Sequence, residues 1–493
     1  MMTTSTAAVD NPKKTLDLLW SRVRQRGDLP GFSKVVGAIL AAMRGEDDRE
    51  FNMTRTVLSD PALTQKVLRL ANSPMYAVFG GGINTVSKAV IVLGTEAIGH
   101  LALGLKLIDG LTSATTGSDT ARAEMEKAVL AGHIARQIAS NATTRDAEEA
   151  VVCSVLHSLG RMMVTFYLPE SWAVIRARVA EGGDENEAAR ETIGLALDEL
   201  GQRIAQQWGL PASLVNSLQH VKPRASGEPL DHTDWLAAIS TMSASCAAVL
   251  HSDDPAFTER ISSIAGEYAD MLGIDVEHVC SAVEAAKATA VEEAIIIRPA
   301  KPSGAGGGKP SNASQILTSG VADMRSALSG SSTAQLLTMG LETVYKGLGL
   351  TRAAAFLRNQ DEARYAARMC FGEGVQELLP RLYFSDAYQP DVFHAALAND
   401  KMIFVEKARE QTFLSKLPRW WKDVFPTTAS FIVLPLSVNR QPVGFIYGDW
   451  DAGAAPARIE PAEVTPLNEL RALVVHAIEN RRRMDGTLIR KIL

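Results

Sequence analysis

The chain is poor in cysteine, in aromatic residues and in net positive charge, and each shortage excludes something. Its 493 residues hold four cysteines, Cys153, Cys246, Cys280 and Cys370. No two stand at the short spacing of a disulfide framework or a zinc knuckle, so a reducing compartment is the expected home. Lys and Arg number 50 against 56 Asp and Glu, a formal charge of −6. Bulk attraction to nucleic acid or anionic lipid is therefore missing, and neither is an expected partner. The most apolar long stretch, Ala89 to Leu107, is broken by Glu96, His100 and Lys106. A membrane span needs about 20 apolar residues in a row, so this stretch reads as a buried helix pair. Met1 to Lys14 has no apolar core of the signal-peptide kind, and the expectation is a cytoplasmic protein. Catalytic signatures are scarce too. Gly80-Gly81-Gly82 lacks the strand-to-helix context of a phosphate loop, no Gly-x-Ser-x-Gly elbow occurs, and no cysteine has a histidine at a telling spacing. No cofactor is expected.

What is present belongs to a globular protein: 46% hydrophobic and 22% charged residues rule out wholesale disorder. The low aromatic fraction, with abundant Ala and Leu, leans helical. The length is too great for one core and implies two or three domains. Pro299 to Asn312 carries no large apolar residue and reads as a flexible linker. The expected layout is a tail over 1–21, a helical domain over 22–225 and a helical extension over 226–298. A flexible linker over 299–327, an α+β domain over 328–484 and a tail over 485–493 follow.

Upstream of the linker, nearly every apolar pattern has helical period. Asp60-Pro61 gives an N-cap and a first-turn proline, and Leu63, Val67, Leu70 and Ala71 then form one stripe. Lys127–Ala139, Glu149–Tyr167, Leu195–Trp208 and the 230–296 region read the same way. Downstream, a helix over Gln335–Leu348 is followed by short apolar runs at Ala353–Arg358, Tyr365–Cys370, Lys401–Val405, Ser430–Val438 and Val443–Trp450. The last two are joined by a hairpin turn at Asn439-Arg440-Gln441-Pro442. A closing helix over Ala462–Arg483 aligns Leu467, Leu470, Val474 and Ile478. The fold class is multidomain: an all-α part, then an α+β part around an antiparallel sheet.

Leu29-Pro30, Leu58-Ser59-Asp60-Pro61-Ala62-Leu63-Thr64, Val67 to Ser73, Ile83 to Ala89, Val155 to Gly160 and Trp208 to Pro211 stand in an order and spacing that resembles the HDOD family. Those domains are relatives of the HD-type metal phosphohydrolases in bacterial signalling proteins. Two readings of Asn72 and Ser73 stand side by side, a helix cap and a ligand contact. The resemblance also says where metal ligands belong: a His, an adjacent His-Asp pair and a further Asp, whose carboxylates offset the charge of the ions. His157 occupies the His of the pair, but its neighbour is Ser158, a poor ligand. His133 stands at the place of the first ligand, Leu197 where relatives carry His, and His220 follows Gln219 where a His-His pair is common. The resemblance thus implies a non-catalytic module. A weak mononuclear site at His133, His157 and His220 stays open, beside the bland reading of His157 as a core histidine.

Phe431 to Leu436, the turn, and Val443 to Gly448, with the leading helix and Ala353 to Leu357, resemble a GAF domain, a sensing and dimerising module. The Asn-Lys-Phe-Asp-Glu pattern of cyclic-nucleotide binders is absent, and no cysteine stands at a bilin attachment point. Phe356, Phe371, Tyr383, Phe384, Phe404 and Trp421 (with Trp420) are expected either to line a ligand pocket or to pack a core. Trp420-Trp421 beside Arg419 and Lys422 could also face a partner. Arg481-Arg482-Arg483 suits a helix C-terminus, and the stripe of the closing helix could pair with a second copy. The combined expectation is a bacterial signal-transduction protein: an HDOD scaffold for other signalling proteins, regulated by a GAF-like part. The alternatives are a metal-dependent phosphohydrolase acting on a nucleotide or cyclic dinucleotide, and a nucleic-acid-binding regulator.

Overall fold

The computed structural model describes residues 12–492 apart from 28, 30–33, 46–47, 73–75, 77–81, 113–117, 225–229, 253–255, 297–307 and 453–457. The helices that matter below are α1 (Arg49–Leu58), α2 (Pro61–Ala71), α3 (Val86–Leu93), α4 (Thr95–Thr112), α5 (Asp119–Ile138), α6 (Thr144–His157) and α7 (Leu159–Tyr167). They continue with α8 (Leu197–Gln207), α9 (His232–Leu250), α10 (Ala313–Ala327), α11 (Thr333–Gly347) and α12 (Pro461–Ile492). The strands are β1 (Arg352–Asn359), β2 (Arg364–Phe371), β3 (Tyr383–Ser385), β4 (Ile403–Val405), β5 (Thr428–Val438) and β6 (Gln441–Asp451). Two compact units result: Met1–Gly45 with Glu96–Pro299, and Glu46–Thr95 with Ala300–Leu493.

The first unit is all helix. Its core helices are apolar because they are enclosed: α6 buries every residue from Ala147 to Leu156. By length and composition the run Thr144–Tyr167 could cross a membrane, but 78% of its apolar window is buried inside the fold, as in the core helix of a globular unit. The expected single helix over Glu149–Tyr167 is two helices, broken at Ser158 (φ −90°, ψ 14°). Beyond the break, a Cβ on Gly160 would stand 1.8 Å from the Leu197 carbonyl oxygen. Only glycine lets α7 and α8 approach this closely.

In the second unit a six-stranded antiparallel sheet runs in the order β3-β2-β1-β6-β5-β4. The β5–β6 turn is tighter than expected. Val438 pairs with Gln441, leaving Asn439 and Arg440 alone in the loop with φ of 51° and 63°, the two left-handed residues of a type I′ hairpin. Helix α12 lays Leu467, Leu470 and Val474, all fully buried, against α10 and α11. The stripe expected to pair with a second copy is thus largely consumed inside its own unit, and the Arg481-Arg482-Arg483 side chains lie outside the described residues.

The flexible linker expected over 299–327 needs correction in its second part. Ala313–Ala327 is helix α10, with Leu317, Val321 and Met324 buried at one face. These three recur at i, i+4 and i+7, a helical stripe that the neighbouring Gly-Pro composition masked. Residues 297–307, with all of the glycine run but Gly308, lie outside the described residues.

The second unit also includes α1–α3, from the N-terminal half of the chain, and two buried carboxylates hold the start of α3. Glu342 of α11, with no exposed surface, accepts the backbone N–H of Val86 (2.8 Å), the N–H of Ser87 (2.9 Å) and the Ser87 hydroxyl (2.5 Å). Asp323 of α10, 1% exposed, accepts the backbone N–H and side-chain amide of Asn84 and the Thr85 hydroxyl, and it pairs with Lys88 at 3.3 Å. Both acids sit at the N-terminus of α3, where free N–H groups and the helix dipole favour negative charge.

Candidate functional site

His157 ends α6 and Ser158 follows at the break, so the motif places both at the wall of a cavity of about 280 Å³ in the first unit. His220 reaches the same cavity, its ring centre 6.4 Å from that of His157. His133, buried at 3% exposure on α5, is not among the lining residues. Of the three weak metal candidates, two come together and the third does not. The His157 ring is half-buried at the cavity wall, but its Nδ1 is sealed from solvent and has no hydrogen-bond partner. Burial pushes its pKa down to about 3, and His220 and Arg161 add to the effect, so the imidazole is neutral in ordinary buffers.

The rest of the cavity was not legible in the sequence. Arg161 enters from α7 and pairs with Glu185 and, at 3.6 Å, with Glu124. Burial opposes the charge on Arg161, but these two carboxylates outweigh it and raise its pKa. Asp184 caps the helix that begins at Glu185, through the N–H of Glu187. Asp198 accepts the N–H of Glu199, and Asn186 accepts the N–H of Leu197. The acids that reach the cavity are therefore engaged in capping or ion pairing. Among the described residues, no group of three His, Cys or acid ligands converges beside His157. What remains is a small polar recess with a neutral imidazole and a neutralised guanidinium, suited to hydrogen bonding.

The motif residues upstream are structural. Asp60 accepts the N–H groups of Ala62 and Leu63 as the N-cap of α2, with Pro61 in the first turn. Asn72 closes the same helix. Its amide donates to the carbonyls of Leu68 and Ile83, and its Oδ1 accepts the N–H groups of Gly82 (3.1 Å) and Ile83 (2.9 Å). Of the two readings of Asn72, the cap is realised. Ser73 lies outside the described residues.

The six aromatics expected around one pocket are divided between the two faces of the sheet. Phe356, Phe384 and Trp421 belong to one packed cluster with Phe393, Phe431 and Phe445. Phe371, on the opposite face, stacks on Phe51 at 5.4 Å and lies 5.8 Å from Tyr345. Phe404 packs edge-on against Trp450. Tyr383 is 47% exposed beneath Arg364. Side chains alternate faces along a strand, so nearness in sequence did not mean a shared space. Trp421 has a further role that the sequence did not signal. Its Nε1 donates to the Tyr447 hydroxyl, which donates to the fully buried Asp449, itself held by Arg352 and Thr428. Burial raises the Asp449 pKa to about 6 against the opposing pull of Arg352.

The HDOD domain profile matches residues 29–223. No curated protein matches the chain. Among solved structures, a Shewanella amazonensis protein provisionally named a phosphohydrolase is 25% identical, with a TM-score of 0.40. That match covers 56% of this chain and 96% of the other. An HDOD domain protein of unknown function from Geobacter sulfurreducens is 18% identical over 57% of this chain and 97% of its own, with a TM-score of 0.39. The C-terminal sheet is similar, weakly and in part, to the GAF domain of an Acinetobacter phosphoenolpyruvate-protein phosphotransferase. That likeness has 15% identity and a TM-score of 0.28, over 34% of this chain and 93% of the other.

Proposed function

We propose that the chain is a signal-transduction protein whose HDOD domain is a non-catalytic scaffold for other signalling proteins, controlled by the GAF-like C-terminal part. The observation that carries this reading is the capture of α1–α3. These helices lie within the HDOD match, yet they belong to the unit of the C-terminal sheet, and α3 is bonded to that sheet's own helices through Glu342 and Asp323. A small ligand or a partner that altered the packing of α10 and α11 would act on HDOD residues directly, because the capping carboxylates sit on those two helices. Such control needs different binding energy in two arrangements of the same segment.

The test compares the intact chain with Glu342→Ala in two assays. In capture from a native extract, the proteins retained by the wild-type chain are expected to change in the variant. In a panel of nucleotides and cyclic dinucleotides, neither protein is expected to turn over substrate. Turnover by the wild type that is lost on His157→Ala would replace this reading with the phosphohydrolase.

A further inference from the structure

We infer that Asp146, Glu149 and His232 form a divalent-cation site in the first unit, separate from the recess at His157. Thr143 caps α6 through the N–H of Asp146, which fixes the first turn of the helix. Asp146 and Glu149, three residues apart, then project from one face. His232 is the first residue of α9, and Asp231 caps that helix. The His232 Nε2 stands 2.9 Å from Glu149 Oε2, and its Nδ1 stands 3.9 Å from Asp146 Oδ1. One ligand atom from each of the three lies within 4.8 Å of the others.

A simple ion pair does not account for what surrounds this triad. Glu149 is 1% exposed; Ser213 stands beside its carboxylate, but no hydrogen bond of standard geometry reaches its Oε1. His100 of α4, 4% exposed, faces Glu149 electrostatically, and its Nδ1 is likewise buried without a partner. The neighbouring cation, Arg145, is occupied with Glu96 at 2.9 Å. One buried oxygen of Glu149 is thus left unmatched, and buried polar atoms left this way are costly.

Two carboxylate oxygens and an imidazole nitrogen suit a first-row divalent ion such as Zn²⁺ or Mn²⁺. Metal–ligand bonds of about 2.0–2.2 Å require the three atoms to close together. Asp146 is half-buried and His232 exposed, so both can turn toward the buried Glu149. A bound ion would tie the start of α9 to α6 and so fix the helical extension onto the HDOD core. This inference is independent of the scaffold reading.

The test uses the intact chain, stripped with a chelator and titrated with Zn²⁺ and, separately, Mn²⁺ by equilibrium dialysis. The expected result is one ion per chain. Asp146→Asn and Glu149→Gln should each lower affinity at least about tenfold, and His251→Ala should leave it unchanged. Asp146→Asn lies at the half-buried mouth and keeps the test valid if the buried Glu149 variant folds poorly. No saturable binding would overturn the inference, as would affinity unchanged by Asp146→Asn. Binding that survives Asp146→Asn but disappears on His157→Ala would assign the ion to the other recess and overturn it equally.

Discussion

His157 illustrates how one side chain ties the motif to stability. In the unfolded chain its imidazole takes up a proton near pH 6.5, whereas in the fold it stays neutral down to about pH 3. Below pH ~6.5 the unfolded state therefore binds the extra proton, and stability falls as pH falls through this window. Replacing the imidazole with an apolar group removes that penalty. His157→Leu should flatten the acid side of the thermal-midpoint profile between pH ~6.5 and ~3 relative to wild type, as followed by circular dichroism. Asn72 makes the opposite point. Its side chain serves two N–H groups and two carbonyls of a tight loop, so Asn72→Ala strands several backbone groups at once. A loss of about 1–3 kcal/mol in urea unfolding is expected, and a loss below a few tenths would contradict the clamp.

At the level of elements, the close crossing of α7 and α8 depends on Gly160, which meets the Leu197 carbonyl and the Gly201 N–H where a methyl group would collide. Gly160→Ala must push the helices apart or bend one of them. It should destabilise the chain by about 1–3 kcal/mol or more, and chemical denaturation would show this directly. The same crossing sets Leu197 into the wall of the recess beside His157, so the substitution should also alter that recess. The break between α6 and α7, the helix α10 and the short strand β3, absent from the expected runs, were misjudged from sequence. In the first, an unbroken apolar stripe ran across the one residue, Ser158, whose backbone leaves helical geometry. In the second, a Gly-Pro stretch obscured the stripe of Leu317, Val321 and Met324. The other strand positions and the β5–β6 hairpin were legible because alternation and turn chemistry act over a few residues.

For the whole molecule, the decisive feature is that α1–α3 pack in the unit built by the C-terminal half. A chain cut after residue 298 would lack Asp323 and Glu342. The N-terminus of α3 would then lose its carboxylate partners, and Phe51 would lose its stacking on Phe371. Hydrogen exchange should show protection collapsing over residues 48–95 in the truncated chain, with α5–α7 keeping theirs. Equal protection in both chains would refute this dependence.

The sequence by itself determined the helix start at Asp60, the change of period after Leu348 and the run of helices over the 230–296 region. Each of these is written within a few neighbouring residues, where capping and periodicity operate. Tertiary structure alone decided that Glu342 would cap a helix 256 residues upstream. It also set the six aromatics on two faces of one sheet, and it brought His232 against Asp146 and Glu149. Such pairings are selected by which buried surfaces and charges complement one another after folding, and no local pattern encodes a partner that distant.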